Sequence, residues 1–314
     1  MEGIVIRNTG SHYVVATDGH PAHEVNCKVK GNFRIKGIRT TNPVAVGDRV
    51  TIGEPGPDGT AYITAIAPRR NYIIRRASNL SKESHIIAAN IDEAMLVITL
   101  AHPTTSTTFI DRFLATATAY SIPASIIVNK TDLLTEPDDQ ELLEAVRYLY
   151  ESVGYPVISL SAKTGEGIDD LRTRLTDRLT LLSGNSGVGK TTLINDLIPG
   201  LNLRTAEISA AHDTGMHTTT FSELFNLPGG GAIIDTPGVR GFGTIDFDRN
   251  EVSHFFPEIF REGANCRFSD CTHTHEPGCA VLDALSECRI ARSRYDSYLS
   301  VLEDTAPDKY RKPY

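Results

Sequence analysis

No stretch of this sequence approaches the ~20 consecutive apolar residues that a membrane-spanning helix needs, so a membrane partner is not expected. The start, Met1-Glu2-Gly3-Ile4, lacks the basic segment followed by an apolar one that marks a secretory leader, and the cytoplasm is the expected location. Cysteine is scarce and odd in number: five in 314 residues do not suggest a disulfide framework. Internal repeats and low-complexity tracts are missing too, which leaves ordinary globular domains. Cationic charge is in deficit over the whole chain. A formal net charge of −8 argues, taken alone, against a nucleic-acid partner.

What is present is unevenly distributed. A composition of 40% hydrophobic and 22% charged residues is that of a globular protein long enough for two or three domains. The first 80 residues hold eleven Lys/Arg against six Asp/Glu, a net +5, while the remainder carries −13. That shift places a domain boundary near residue 80 and undoes the inference from total charge. The basic segment reads as five short strands, Gly3–Arg7, His12–Ala16, Glu24–Val29, Asp48–Ile52 and Ala61–Ile66, separated by turn residues. Such spacing suits a small closed barrel of the OB type, residues 1–80. Lys28, Lys30, Arg34, Lys36 and Arg39 would offer it cations for phosphates, and Phe33 a ring on which a base stacks.

From residue 94 the pattern becomes α/β. Ala94–Leu100 is a continuous apolar run, as in a strand buried on both faces. Strands at Pro123–Val128, Pro156–Ser159, Leu179–Leu182, Thr220–Leu227 and Gly231–Ile234 are expected, with helices at Phe109–Tyr120, Asp138–Ser152, Ile168–Arg178 and Thr191–Leu197. Between a strand and a helix, Gly184-Asn185-Ser186-Gly187-Val188-Gly189-Lys190-Thr191, followed by Thr192, fits the phosphate-binding pattern G-x-x-x-x-G-K-S/T. Its backbone N–H groups would wrap phosphate oxygens, Lys190 would reach the β- and γ-phosphates, and Thr191 would ligate Mg²⁺. Asp235-Thr236-Pro237-Gly238 ends another strand, where a carboxylate orients Mg²⁺ and Gly238 can offer its N–H to the γ-phosphate. Asn129-Lys130-Thr131-Asp132 and Ser161-Ala162-Lys163 each follow a strand and resemble the two base-contacting loops of GTPases. Asp132 can accept from guanine N1–H and N2–H₂, donors that adenine lacks.

These motifs run in an unusual order, base loops before phosphate loop. The sheet can be that of a small GTPase with its termini moved: a circularly permuted G domain, residues 81–245. His212-Asp213-Thr214-Gly215-Met216-His217-Thr218-Thr219-Thr220 occupies the switch position. Thr219 or Thr220 is the candidate Mg²⁺ ligand. Val239 stands where small GTPases carry a water-orienting Gln, so His217 is the candidate catalytic replacement and slow intrinsic turnover is expected. In the last segment, 246–314, Cys266, Cys271, His273 and Cys279 form C-x₄-C-x-H-x₅-C, a closed Zn²⁺ ligand set with His275 as rival to His273. Residues Gly278–Leu302 read as helical, with Cys288 packed inside.

An OB-type barrel, a permuted G domain and a C-terminal zinc-binding helical domain together resemble the ribosome small-subunit-dependent GTPase A family (RsgA, YjeQ-type) of bacteria. Phe268-x-Asp270-Cys271-x-His273-x-x-Glu276-Pro277-Gly278-Cys279-Ala280-Val281 and Arg294-Tyr295-x-x-Tyr298 look like its C-terminal signature. Met216 departs from the family's usual Arg, and Asn185 and Thr192 from its frequent Gln and Ser. The resemblance implies a late assembly factor that binds the small ribosomal subunit and its rRNA with GTP and leaves after ribosome-stimulated hydrolysis to GDP; a monomer is expected. An RNA-binding scaffold without significant catalysis is the alternative. Because Asp235-Thr236-Pro237-Gly238 runs straight into the zinc domain, the γ-phosphate is expected to reposition that domain.

Overall fold

A computed structural model describes residues 1–10, 12–19, 23–29, 43–76, 84–203, 222–236 and 247–305. The first five strands are β1 (Glu2–Asn8), β2 (Tyr13–Thr17), β3 (Glu24–Val29), β4 (Arg49–Ile52) and β5 (Thr60–Ile66). They pair in the order β1-β2-β3-β5-β4, and β4 returns to β1, so the sheet closes into a barrel. Only β3 and β5 run parallel. Period-two alternation fills the interior with Val5, Tyr13, Val15, Cys27, Val50, Ile52, Ala61 and Ile63. The buried Asp48 carboxylate accepts from the Ala45 N–H and from Arg69 Nε at 2.7 Å and Nη2 at 2.6 Å, which fastens the chain leaving β5 to the β4 entrance.

A hairpin follows that the sequence reading did not anticipate, β6 (Tyr72–Arg76) with β7 (Ser84–Ala89). Then come β8 (Glu93–Ile98), α1 (Thr107–Ala119), β9 (Ala124–Val128), α2 (Pro137–Ser152), β10 (Val157–Ser159), α3 (Ile168–Leu175), β11 (Leu179–Ser183), α4 (Lys190–Leu197), β12 (Glu223–Asn226) and β13 (Ala232–Asp235). The strand order is β10-β9-β8-β11-β13-β12, parallel throughout except β12 against β13. Each β8 residue is buried because helices cover both faces. Leu96 and Ile98 pack toward Phe113 and Tyr150 on one face, and Met95 and Val97 toward Leu171 and Leu193 on the other. Ser106 caps α1 by accepting from the Phe109 N–H, and Pro137 opens α2 where no helical N–H is required. α3 stops at Leu175, short of the expected Arg178, because Thr176 turns to extended backbone (ψ 132°); β12 is described as Glu223–Asn226, and Thr220 and Phe221 of the expected strand lie outside the described residues. The boundaries at 80 and 245 lie outside the described residues.

The C-terminal segment packs α5 (Pro257–Gly263), α6 (Ala280–Ser286) and α7 (Arg292–Asp304) around the core residues Phe256, Ile259, Val281 and Tyr298. The single helical stretch expected over Gly278–Leu302 is two helices. Backbone N–H groups of Arg289 and Ile290 both turn back to the Ala284 carbonyl, burying Ile290 and leaving Cys288 at φ 58°. Cys288 is therefore exposed, not packed in a helix.

This segment is fixed to the G domain by a buried ion cluster. Arg294 of α7 donates from Nη1 to Asp111 Oδ1 of α1 at 2.8 Å, and from Nε and Nη2 to the Glu258 carboxylate of α5 at 2.7 and 3.0 Å. The Tyr150 hydroxyl donates to Asp111 as well, and the guanidinium lies 5.0 Å from the Phe256 ring centre. Burial pushes the Asp111 carboxyl upward, and the Arg294 charge opposes that shift. Removing the cation strands two buried carboxylates. Arg294→Met should therefore lower unfolding free energy by about 3–5 kcal/mol, read as an earlier urea midpoint; a loss near that of an exposed pair would contradict the assignment.

Candidate functional site

The loops after β9, β10, β11 and β13 all leave the same edge of the sheet, because these strands are parallel. The phosphate-type loop spans Gly184–Gly189 between β11 and α4. Two of its glycines are required by close approach. A Cβ on Gly184 (φ 150°) would sit 2.3 Å from the Val97 carbonyl oxygen, and one on Gly189 (φ 91°) would sit 2.5 Å from Asn129 Nδ2. Lys190 Nζ donates to the Gly184 carbonyl and, at 3.0 Å, to that of Asn185, so the ammonium sits at the mouth of the loop. Burial pulls its pKa down and Asp235 resists the change. Thr191 is half-buried on the first turn of α4, and Thr192 beside it is exposed.

Asp235 closes β13, one strand over. Burial pushes its carboxyl up to about 6; Lys190 opposes the shift and Glu223 adds to it. Oδ1 is buried and, among the described residues, has no hydrogen-bond partner. An orphaned carboxylate oxygen next to an anion-binding loop fits a hydrated Mg²⁺, whose water or charge would satisfy it.

The base end is organised by one side chain. Asn129 donates from Nδ2 to the Val188 carbonyl of the phosphate-type loop at 2.8 Å, and its Oδ1 accepts from the Ala162 N–H at 3.0 Å. It thus ties three loops together. Lys130, at φ 65°, donates to the His102 carbonyl and turns the chain into the short 3-10 turn Thr131–Leu133. Ser161 Oγ donates to Asp132 Oδ1 at 2.7 Å, and Lys163 Nζ stands 3.5 Å from Oδ2. These contacts, Ser161 first, hold the Asp132 carboxyl below its usual range, as suits an anion with oxygens free to accept N–H donors.

The Cys/His cluster is equally specific. The donor atoms of Cys266, Cys271, His273 and Cys279 lie within 4.8 Å of one another. His273 Nδ1 is 3.5 Å from the sulfurs of Cys266 and Cys279, which are 3.9 Å apart. A tetrahedral Zn²⁺ with Zn–S bonds of about 2.3 Å sets its sulfurs about 3.8 Å apart, so the four residues fit that ion. His275 is exposed, its Nδ1 engaged by Thr274, and stands outside the group. Sequence reasoning assigned no role to Glu276, Tyr295 or Tyr298. Glu276 accepts from the Thr272, Thr274 and His275 N–H groups, and the two tyrosines donate to the His273 and Thr272 carbonyls, so together they shape the ligand loop. The acid between His273 and Cys279 was the available signal.

His217, Thr219, Thr220 and Gly238 lie outside the described residues, as do Lys30, Phe33, Arg34, Lys36 and Arg39. Lys28 is described and sits half-buried on β3.

A phosphate-type loop, a guanine-type base site and a sheet whose strand order departs from chain order define the class: a circularly permuted P-loop GTPase behind an OB-type barrel. A family model described as RsgA GTPase matches residues 66–245, and one described as RsgA N-terminal domain matches 2–63. The chain is 59% identical over 314 residues to the small ribosomal subunit biogenesis GTPase RsgA of Bacteroides fragilis (strain YCH46), covering 100% of both. It is 58% identical over 319 residues to the protein of that name from Porphyromonas gingivalis (strain W83), again covering 100% of both. Among solved structures it is similar to YjeQ from Thermotoga maritima, at 32% identity and TM-score 0.76, covering 97% of this chain and 98% of that one. YloQ, a circularly permuted GTPase, matches at 28% identity and TM-score 0.73, with 100% and 96% covered. The chain belongs to the RsgA family of GTPases, enzymes that use guanine nucleotide with Mg²⁺.

If the cluster holds zinc, the purified chain should contain about one Zn²⁺ per molecule, measured by plasma mass spectrometry. Stripping it with a strong chelator should lower the melting temperature, and Cys271→Ser should lose the metal. Full retention of metal and stability in Cys271→Ser would refute the assignment.

Proposed function

We propose that this protein is a cytoplasmic, monomeric GTPase that matures the small ribosomal subunit, binding the immature particle and its rRNA with GTP and leaving after hydrolysis to GDP. The observation that carries this reading is the single-edge assembly of Asp132, Asn129, Lys190 and Asp235, a site for guanine at one end and for metal-bound phosphate at the other. The partner comes from the relatives, named small ribosomal subunit biogenesis GTPases.

In this reading Asn129 to Asp132 and Ser161 to Lys163 hold the base, and Gly184 to Thr192 hold the phosphates. Bound Mg²⁺ neutralises phosphate charge. Thr191, Asp235 and either Thr219 or Thr220 would hold that ion, and Gly238 would donate its N–H to the terminal phosphate. His217 orients or deprotonates the attacking water in place of the missing Gln. The four residues Cys266, Cys271, His273 and Cys279 hold a structural Zn²⁺. Lys28, Lys30, Arg34, Lys36 and Arg39, with Phe33, give the barrel its hold on rRNA, so binding to particles should weaken as salt rises.

Hydrolysis should be slow for the isolated chain and rise by at least about tenfold when purified small subunits are added. ATP should not be hydrolysed. His217→Ala should abolish the stimulated rate while leaving GDP affinity within about twofold. Particle binding without any stimulated turnover would instead favour the non-catalytic scaffold.

A further inference from the structure

The barrel and the nucleotide-site sheet share one strand pairing, beside which Ile6 and Val46 are buried with Leu224 and Ile234 in the α/β core. β12 is the edge of the six-stranded sheet, and its outer side is taken by β1 of the barrel. The pairing is one register pair, Arg7 with Glu223, and on its other side Glu223 is in register with Asp235. A single residue of β12 therefore has a barrel residue on one flank and the buried carboxylate of the phosphate end on the other. Arg7 reaches Glu223 Oε1 from Nε at 2.9 Å and again from Nη2. These side chains are 44% and 27% exposed, so water can replace each partner. Strand addition at a sheet edge is a reversible mode of recognition. β12 also follows, in sequence, the segment with His217, Thr219 and Thr220.

The ion pairing that fastens the C-terminal helices, by contrast, is buried. Arg294, Asp111 and Glu258 are almost wholly buried, and no solvent is available to replace a lost partner. A movement that opened this cluster would leave charges unpaired, which opposes the repositioning of the zinc domain expected from the sequence.

We propose that the Arg7–Glu223 pair couples the nucleotide site to the barrel, so that the attachment of β1 to β12, rather than the position of the zinc domain, changes with nucleotide state. The inference rests on the reading of Asp235 and Lys190 as part of a GTP site. By reciprocity, whatever engages the barrel shifts nucleotide affinity by the same factor.

Hydrogen exchange on the full chain tests this, comparing GDP–Mg²⁺ with a non-hydrolysable GTP analogue and Mg²⁺, with nucleotide affinity measured on the same samples. Amides of Glu2–Asn8 should differ by about fivefold or more in exchange rate between the two states, and those of Pro257–Gly263 and Arg292–Asp304 by less than about twofold. Arg7→Glu should remove the β1 difference, and adding Glu223→Arg should restore it. Arg7→Gln, which needs no charge reversal to be accommodated, should also remove it. An unchanged β1 with both nucleotides bound overturns the proposal, as does a larger change in α5 and α7, or an undiminished β1 difference in Arg7→Gln. Absence of nucleotide binding would overturn the GTP-site reading itself, and this inference with it.

Discussion

Strand β11 lies between β8 and β13, parallel to both, and the rest of the molecule depends on that arrangement. It joins strands from the two halves of the permuted order and brings the loop after β11 between the base loops and Asp235. Parallel pairing is indifferent to which strand comes first in the chain, provided crossovers can cover the faces. That is why a chain whose base loops precede its phosphate loop still assembles them on one edge. Asn129 then locks the edge. Its amide bridges Val188 and Ala162, so the base and phosphate ends of the site are not independent.

The barrel, the α/β sheet and the C-terminal helices are joined by contacts of different kinds. The C-terminal helices meet α1 through Arg294, Asp111 and Glu258, three buried charges that compensate one another, with the Tyr150 hydroxyl also donating to Asp111. The barrel meets the α/β domain through a backbone bridge between Val46 and Ala88 of the β6–β7 hairpin, the Asn90 side chain on the Gly47 carbonyl, the burial of Ile6 and Val46 with Leu224 and Ile234, and the half-exposed Arg7–Glu223 pair. An exposed pair contributes on the order of 0.2–1 kcal/mol, whereas losing one partner of a buried cluster costs about 3–5 kcal/mol. Of the two ion pairings, the Arg7–Glu223 one is therefore the more easily exchanged, although Ile6 and Val46 beside it are buried in the α/β core.

Much of this was legible in the sequence because its signals are local. The apolar run beginning at Ala94, the loop from Gly184 to Thr191 and the spacing of Cys266, Cys271, His273 and Cys279 each declare themselves within a few residues. What was not legible is long-range. Asp111 and Arg294 are 183 residues apart, and Arg7 and Glu223 are 216 apart; nothing near either member marks the other. The hairpin β6–β7 was missed for a related reason, since its strands are defined by pairing with each other more than by period. The break before α7 was hidden because Glu287 to Ala291 contain neither glycine nor proline, and Cys288 takes a conformation that neither residue type announces.

The central claim is that a permuted sheet builds a guanine-selective site in which Asp132 reads the base. Titration of the purified chain with GDP and with ADP, both with Mg²⁺, tests it most directly. GDP should bind at least about 100-fold more tightly, and Asp132→Asn should erase most of that preference. Equal affinity for the two nucleotides, or an unaltered preference in Asp132→Asn, would contradict the account.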